Sequence, residues 1–173
     1  DCLDVNSLGH LTFGGCDTVD LVKKYGTPLY VLDENDIKKA CRLYKESFKE
    51  YYDGKGCPLY ASKALNCLEI CRIINNEDMG LDVVSGGELY TAIHAGFPPS
   101  RIHFHGNNKT FEEIEMAVCN DVGTIVVDSF EEFDIINDIS KKFNKKTCVS
   151  IRITPGIDAH THQFIKTGQI DSK

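Results

Sequence analysis

The sequence predicts an α/β fold, an incomplete (β/α)8 barrel of the TIM type holding about five βα units. Three observations carry this. Five short apolar runs end in polar or glycine-rich edges: PLYASK (58–63), GLDVVSGG (80–87), RIHFHGNN (101–108), GTIVVDS (123–129) and CVSIRIT (148–154). Their ends, at Lys63, Ser85, Asn107, Asp128 and Arg152, recur every 21 to 24 residues, the spacing of a strand followed by a helix. Three of the joins read Ser/Thr-x-x-Glu: Ser85 with Glu88, Thr110 with Glu113, and Ser129 with Glu132. Such a pair opens a helix, because the hydroxyl satisfies an orphan amide of the first turn while the carboxylate reaches back.

Taken in order, the elements begin with a lead-in. HLTFGGCDTVDLVKKYGTPLYVLDE (10–34) predicts a short strand, a helix and a second strand, with Gly26-Thr27-Pro28 as the turn between the last two. The five apolar runs follow as strands. Runs such as TIVV, apolar throughout, suit a parallel sheet covered on both faces. Asn66 with Glu69 offers a fourth, weaker cap after the first of these strands. Phe133, Ile136, Ile139 and Phe143 recur at three- and four-residue spacing and predict one apolar helix face. A doubly wound sheet fits the same alternation less well. Eight units at this spacing take roughly 180 residues, so the barrel is incomplete. Residues 1–33 are expected to form the lead-in and residues 34–173 the first part of the barrel. The chain starts at Asp1 without a methionine and stops at Lys173, and is expected to be a piece of a longer protein.

Composition narrows the function classes. A net charge of −7 speaks against nucleic acid, whose phosphates need clustered cations. Lys141, Lys142, Lys145 and Lys146 do cluster, but at an expected helix end, where a solvated cationic stretch is the plainer reading. No apolar run approaches the roughly 20 residues that cross a bilayer. The eight cysteines are scattered, without a CxxC pair or a zinc-ligand spacing. Cys57, Cys67, Cys71 and Cys148 are expected to be buried free thiols behaving as small hydrophobes.

Chemistry in parallel α/β folds gathers at the C-terminal ends of strands, which makes candidates of Lys63, Asp82, Ser85, His105, Asn107, Asp128 and Arg152. Lys63 is the sharpest. An amine partly desolvated at a barrel mouth is available to attack a carbonyl and form a Schiff base. The plainer alternative is a lysine snorkelling beside an acid such as Asp82. Asp82 and Arg152 interrupt apolar runs, where a charge is costly unless paired. They pair with Lys63 or with each other, or else they surround an anion or a cofactor ring. His103 and His105 share one strand face, and His160 with His162 forms a second HxH after Pro155-Gly156. HxH at a barrel mouth is also a metal-binding pattern, which keeps a metal-dependent hydrolase as a competitor.

These residues resemble a known family. YGTPLYVLDE (25–34), YASKAL (60–65), GLDVVSGGELYTA (80–92), FHGNNKT (104–110) and RITPGIDAHTHQFIKTG (152–168) are similar to the N-terminal part of the diaminopimelate decarboxylases, pyridoxal-phosphate enzymes of the alanine-racemase-like (fold type III) class. The likeness runs from about Leu11 to Lys173. The lysine motif is shared across that class, whereas PGIDAHTH with HGNNK points to the diaminopimelate branch. The resemblance implies pyridoxal 5'-phosphate held covalently by Lys63, Asp82 and Arg152 beside it (Arg152 near its phenolic side), and His105 and Asn107 at the mouth without assigned roles. No metal is implied. It further implies decarboxylation of meso-2,6-diaminopimelate to L-lysine, the last step of lysine biosynthesis, in a cytoplasmic homodimer. A bacterial cytoplasm is the first expectation and a plastid the second.

In that family the phosphate loop, the acid facing the pyridine nitrogen, the stacking histidine and a C-terminal β-domain lie beyond position 173. The lead-in would join that β-domain. The isolated chain is therefore expected to be inactive without a companion C-terminal fragment or an uncut parent, with nicking after Lys173 as one route to such a pair. An ornithine- or arginine-type decarboxylase or a racemase is the runner-up. From other classes come a Schiff-base aldolase using Lys63 alone, and a half-barrel that binds nothing specific.

Overall fold

The computed structural model describes residues 2–153. The first of them form a small unit of their own. β1 (Leu3–Val5), β2 (Leu11–Phe13) and β3 (Cys16–Asp17) make an antiparallel sheet, and α1 (Thr18–Tyr25) follows directly. Asp17 starts that helix, its Oδ1 accepting from the N–H groups of Val19 and Asp20. Its Oδ2 accepts from Asn6 Nδ2 and lies 2.9 Å from His10 Nδ1, and the His10 contact is the main reason that this carboxyl is pulled down to about 2.

The second strand expected in the lead-in is not formed. Leu29, Tyr30, Val31 and Leu32 are exposed, Tyr30 at 98%, and no strand of either sheet pairs with them. An apolar run of strand-forming residues becomes a strand only where a neighbour completes its hydrogen bonds. The chain instead enters α2 (Glu34–Tyr51) at Asp33, whose side chain accepts from the N–H groups of Asn35 and Asp36.

The parallel sheet is as expected. β4 (Leu59–Ala61), β5 (Gly80–Val83), β6 (Ile102–Phe104), β7 (Thr124–Val127) and β8 (Val149–Ile151) lie side by side in chain order, each parallel to the next. Between them run α3 (Leu68–Asn76), α4 (Gly86–His94), α5 (Phe111–Cys119) and α6 (Phe130–Lys142). Unbroken sequential order is barrel-like; a doubly wound sheet would reverse direction at a switch point. Alternate residues face the helices: Leu81 and Val83, Ile102 and Phe104, Ile125 and Val127 are buried in one cluster with Ile74, Leu89, Ile114 and Ile136. Each such side chain contributes about 1.5–3 kcal/mol by leaving water. The opposite face carries Asp82, His103 and Thr124 in register.

Each helix between the strands stops in the same way. A residue with left-handed backbone follows it: Asp78 (φ 54), Gly96 (φ 79), Asp121 (φ 56) and Asn144 (φ 51). The next residue, Met79, Phe97, Val122 or Lys145, donates its N–H to the carbonyl five residues back. This is the Schellman arrangement, and Met79, Phe97 and Val122 bury their side chains as they make it.

The helix starts are less uniform than their sequences. Only Thr110 and Glu113 close the full reciprocal pair. Ser85 and Ser129 accept from the N–H of Glu88 and Glu132, but those carboxylates reach one residue further back, to the N–H groups of Val84 and Asp128. Asn66 does not cap α3, which starts at Cys67 without a side-chain bond. In α6, Ile136 and Ile139 are buried, whereas Phe133 and Phe143 stay partly exposed at 45% and 37%. Phe133 faces an open groove beside Ile151 on the outermost strand. All eight cysteines are free, but of the four expected to be buried only Cys71 is; Cys57 and Cys148 precede the two edge strands and are exposed, and Cys67 is half-buried.

Candidate functional site

Lys63 sits just past the end of β4, in the middle of a 3-10 turn spanning Ser62–Ala64. The turn is anchored from below. Ser62 is buried and its Oγ donates to Glu88 Oε2 at 2.5 Å, and the same oxygen accepts from the N–H of Val84 at 2.8 Å. Glu88, in the first turn of α4, thus holds the turn that carries Lys63 to the end of β5. The Lys63 side chain is exposed.

Asp82 lies one strand over, between Ala61 and His103 in the register. Its Oδ1 is buried without a hydrogen-bond donor, and His105 Nε2 stands 3.5 Å away. Burial pushes the Asp82 carboxyl above its ordinary value, opposed by the charges of His105, His103 and Lys63. Burial likewise pushes His103 down, with His105 adding to the effect and Asp82 opposing it.

His105 continues the β5–β6 pairing, its N–H donating to Val83 O, and the loop beyond it turns at Gly106 (φ 116). Asn107 is exposed in that loop. At the far side, Arg152 follows β8, its N–H donating to Val127 O and its Nη1 to Asp128 Oδ1 at 3.1 Å. Lys63, Asp82 and His105 are thus gathered at three adjacent strand ends, and Arg152 with Asp128 at the two beyond. The pairing of Arg152 with Asp128 was not anticipated, although both stood among the strand ends. His160 and His162 lie outside the described residues. Among the described residues no group of three or more His, Cys, Asp or Glu is arranged to hold a metal ion.

Four further residues make contacts between βα units: Ser62 with Glu88, and Lys109 with Glu132. The two glutamates were legible as helix starters but not as links between units, since the pattern that marks a cap does not say where the spare carboxylate oxygen goes. Ser62 and Lys109 gave no signal of burial, because neither residue type is ordinarily inside.

Residues 34–173 match the family model described as pyridoxal-dependent decarboxylase, pyridoxal binding domain. The diaminopimelate decarboxylase of Bacillus methanolicus is 52% identical over 169 residues, covering 98% of this chain and 39% of that protein. That of Bacillus subtilis is 49% identical, covering 97% and 38%. Among solved structures, the diaminopimelate decarboxylase of M. jannaschii in co-complex with L-lysine superposes with a TM-score of 0.85 at 38% identity, covering 95% of this chain and 38% of that one. The chain thus spans under two fifths of the length of these relatives.

Proposed function

Because this chain belongs to the pyridoxal-dependent decarboxylases, as their pyridoxal-binding domain, we propose that it is the cofactor-binding part of an enzyme converting meso-2,6-diaminopimelate to L-lysine and CO2. The relatives named above support the substrate. The observation that carries the site is the placement of Lys63 one strand from the buried, donorless Oδ1 of Asp82. An acceptor left without a donor inside a protein is costly, and it suits a site completed by a polar group.

Lys63 would hold pyridoxal phosphate covalently through Nζ. Asp82, His105 and Arg152 would surround it, Arg152 toward the phenolic oxygen. When bound, the cofactor supplies an electron sink for the pair left behind as the carboxylate departs as CO2. Lys63 or a neighbour would handle the proton that replaces CO2 on carbon. Asp82, on the strand next to the Lys63 turn, would act on the lysine through its charge. His103, paired with Asp82 across β5 and β6, is favoured neutral by its burial. Asp128 keeps the Arg152 guanidinium in place.

We extend this reading to a cytoplasmic homodimer in which residues 1–33 belong to a second, β-rich domain and catalysis needs the remainder of the polypeptide, joined or as a companion fragment. The likeness to the family supports the dimer. The lead-in's separate antiparallel sheet, with Leu3, Val5, Leu8 and Leu11 exposed, supports the second domain.

The test is borohydride reduction of the protein with pyridoxal phosphate, followed by peptide mapping and product analysis. A pyridoxyl-phosphate increment on Lys63, lost in Lys63→Ala, and L-lysine from meso-diaminopimelate are expected. A label on another lysine overturns the site, and preferential turnover of ornithine or arginine overturns the substrate.

A further inference from the structure

Lys109 is the one lysine among the described residues that is buried. Its side chain is 1% exposed, and its ammonium meets three acceptors: Gly106 O at 2.6 Å, Val126 O at 2.8 Å and Glu132 Oε1 at 2.6 Å. The two carbonyl contacts are hydrogen bonds, and the third is an ion pair in which Glu132 Oε1 takes no hydrogen bond. Nothing in the reaction as proposed uses this group, yet burying an ammonium is costly enough that a lysine is seldom placed inside without a partner.

Its contacts lead in two directions. Gly106 O belongs to the turn after β6, between His105 and Asn107, in a backbone conformation (φ 116) reserved for glycine. Glu132 leads the other way: its Oε2 accepts from the N–H of Asp128 at 2.7 Å, and Asp128 Oδ1 accepts from Arg152 Nη1. A continuous run of polar contacts therefore joins the loop of His105 and Asn107, through the interior, to the guanidinium of Arg152. Both ends are groups assigned to the pyridoxal site, and neither Lys109 nor Glu132 reaches that site itself.

We propose that the buried Lys109–Glu132 pair is a positioning device for the pyridoxal site, setting the loop after β6 on one side and Asp128 with Arg152 on the other. This rests on the site assignment made above. Lys109 and Glu132 are positioning residues: they touch backbone oxygens and a backbone N–H, and act through His105 and Arg152.

The experiment uses the complete protein. Lys109→Met combined with Glu132→Gln removes both charges and leaves an amide oxygen to accept from the N–H of Asp128. Asp128→Asn, at an exposed residue, removes the charge from the far end of the run alone and so weakens its hold on Arg152. The readouts are the thermal midpoint, the dissociation constant for pyridoxal phosphate by absorbance titration, and turnover with and without excess cofactor. The expected result is cofactor binding weakened about tenfold in both variants, with turnover recovered by excess cofactor and with the Asp128→Asn midpoint unchanged. Unchanged cofactor affinity in Asp128→Asn overturns the proposal, whether or not the double variant folds. Wild-type protein that fails to bind the cofactor on Lys63 would instead overturn the site assignment, and so separates the two failures.

Discussion

Ser62 Oγ and Glu88 Oε2 stand 2.5 Å apart across two successive βα units. The same pattern recurs along the sheet. Glu113, in the first turn of α5, accepts at 2.6 Å from the N–H of Gly86 at the start of α4, and Glu132 of α6 meets Lys109 of the preceding loop. The starts of α4, α5 and α6 therefore each grip the unit before them, and these glutamates tie together the rim that carries the site.

Glu88→Gln should loosen the turn that carries Lys63. Its carboxylate receives two hydrogen bonds on one oxygen, and charge-assisted bonds of this kind are worth more than neutral ones. Unfolding in urea should show a loss of about 1–2 kcal/mol, with slower borohydride labelling of Lys63 under limiting cofactor. A variant as stable as wild type and labelled at the same rate would mean that the turn is held by other contacts.

Asp82→Asn should stabilise the cofactor-free protein at neutral pH. Below the ordinary carboxylate range both folded and unfolded chains carry the proton at Asp82, and the substitution changes little. As pH rises, the unfolded chain releases it first, whereas the folded chain holds it to a higher pH because the site is buried. Stability contributed by this group therefore falls with rising pH until the raised folded value is passed. Thermal midpoints of both proteins across pH 3 to 8 (a range chosen about the ordinary value) should coincide at the acid end and separate above it. A separation that grows toward acid would contradict the assignment.

Lys109→Met alone should be far more harmful than its pairing with Glu132→Gln. It leaves a buried carboxylate without its cation, a loss of about 3–5 kcal/mol, while the double variant leaves no charge inside. Denaturant titration of the two variants and wild type measures the difference, and equal stability of single and double variants would show Glu132 to be solvated.

Asn144 tests the repeated helix stop. Its φ of 51 is tolerated by asparagine and unfavourable for alanine. Asn144→Ala should cost about 1 kcal/mol, and Asn144→Gly should be close to neutral. Equal effects of the two would mean that the side chain, rather than the backbone, sets the stop.

The succession of strands was readable because a parallel βα array repeats one local rule: an apolar run, a polar end, a helix cap. Each part of that rule is satisfied within a few residues, so the ends at Lys63, Asp128 and Arg152 stand where the spacing put them. The helix stops were not read, because Asp78, Asp121 and Asn144 look like ordinary polar residues until the backbone gives them a positive φ. The strand expected over residues 29–32 failed for a related reason: its residues favour an extended chain, but only a neighbouring strand turns that preference into structure.

The sequence by itself determined the order and type of the barrel elements and singled out Lys63, Asp82 and Arg152, since strand ends and helix caps are set by residues close in the chain. Only the tertiary structure decided which side chains meet. Arg152 pairs with Asp128, Asp82 keeps a buried oxygen beside His105, and Lys109 lies inside with Glu132. Those contacts cross from one βα unit to another, and their energies depend on burial and distance, which local patterns do not encode.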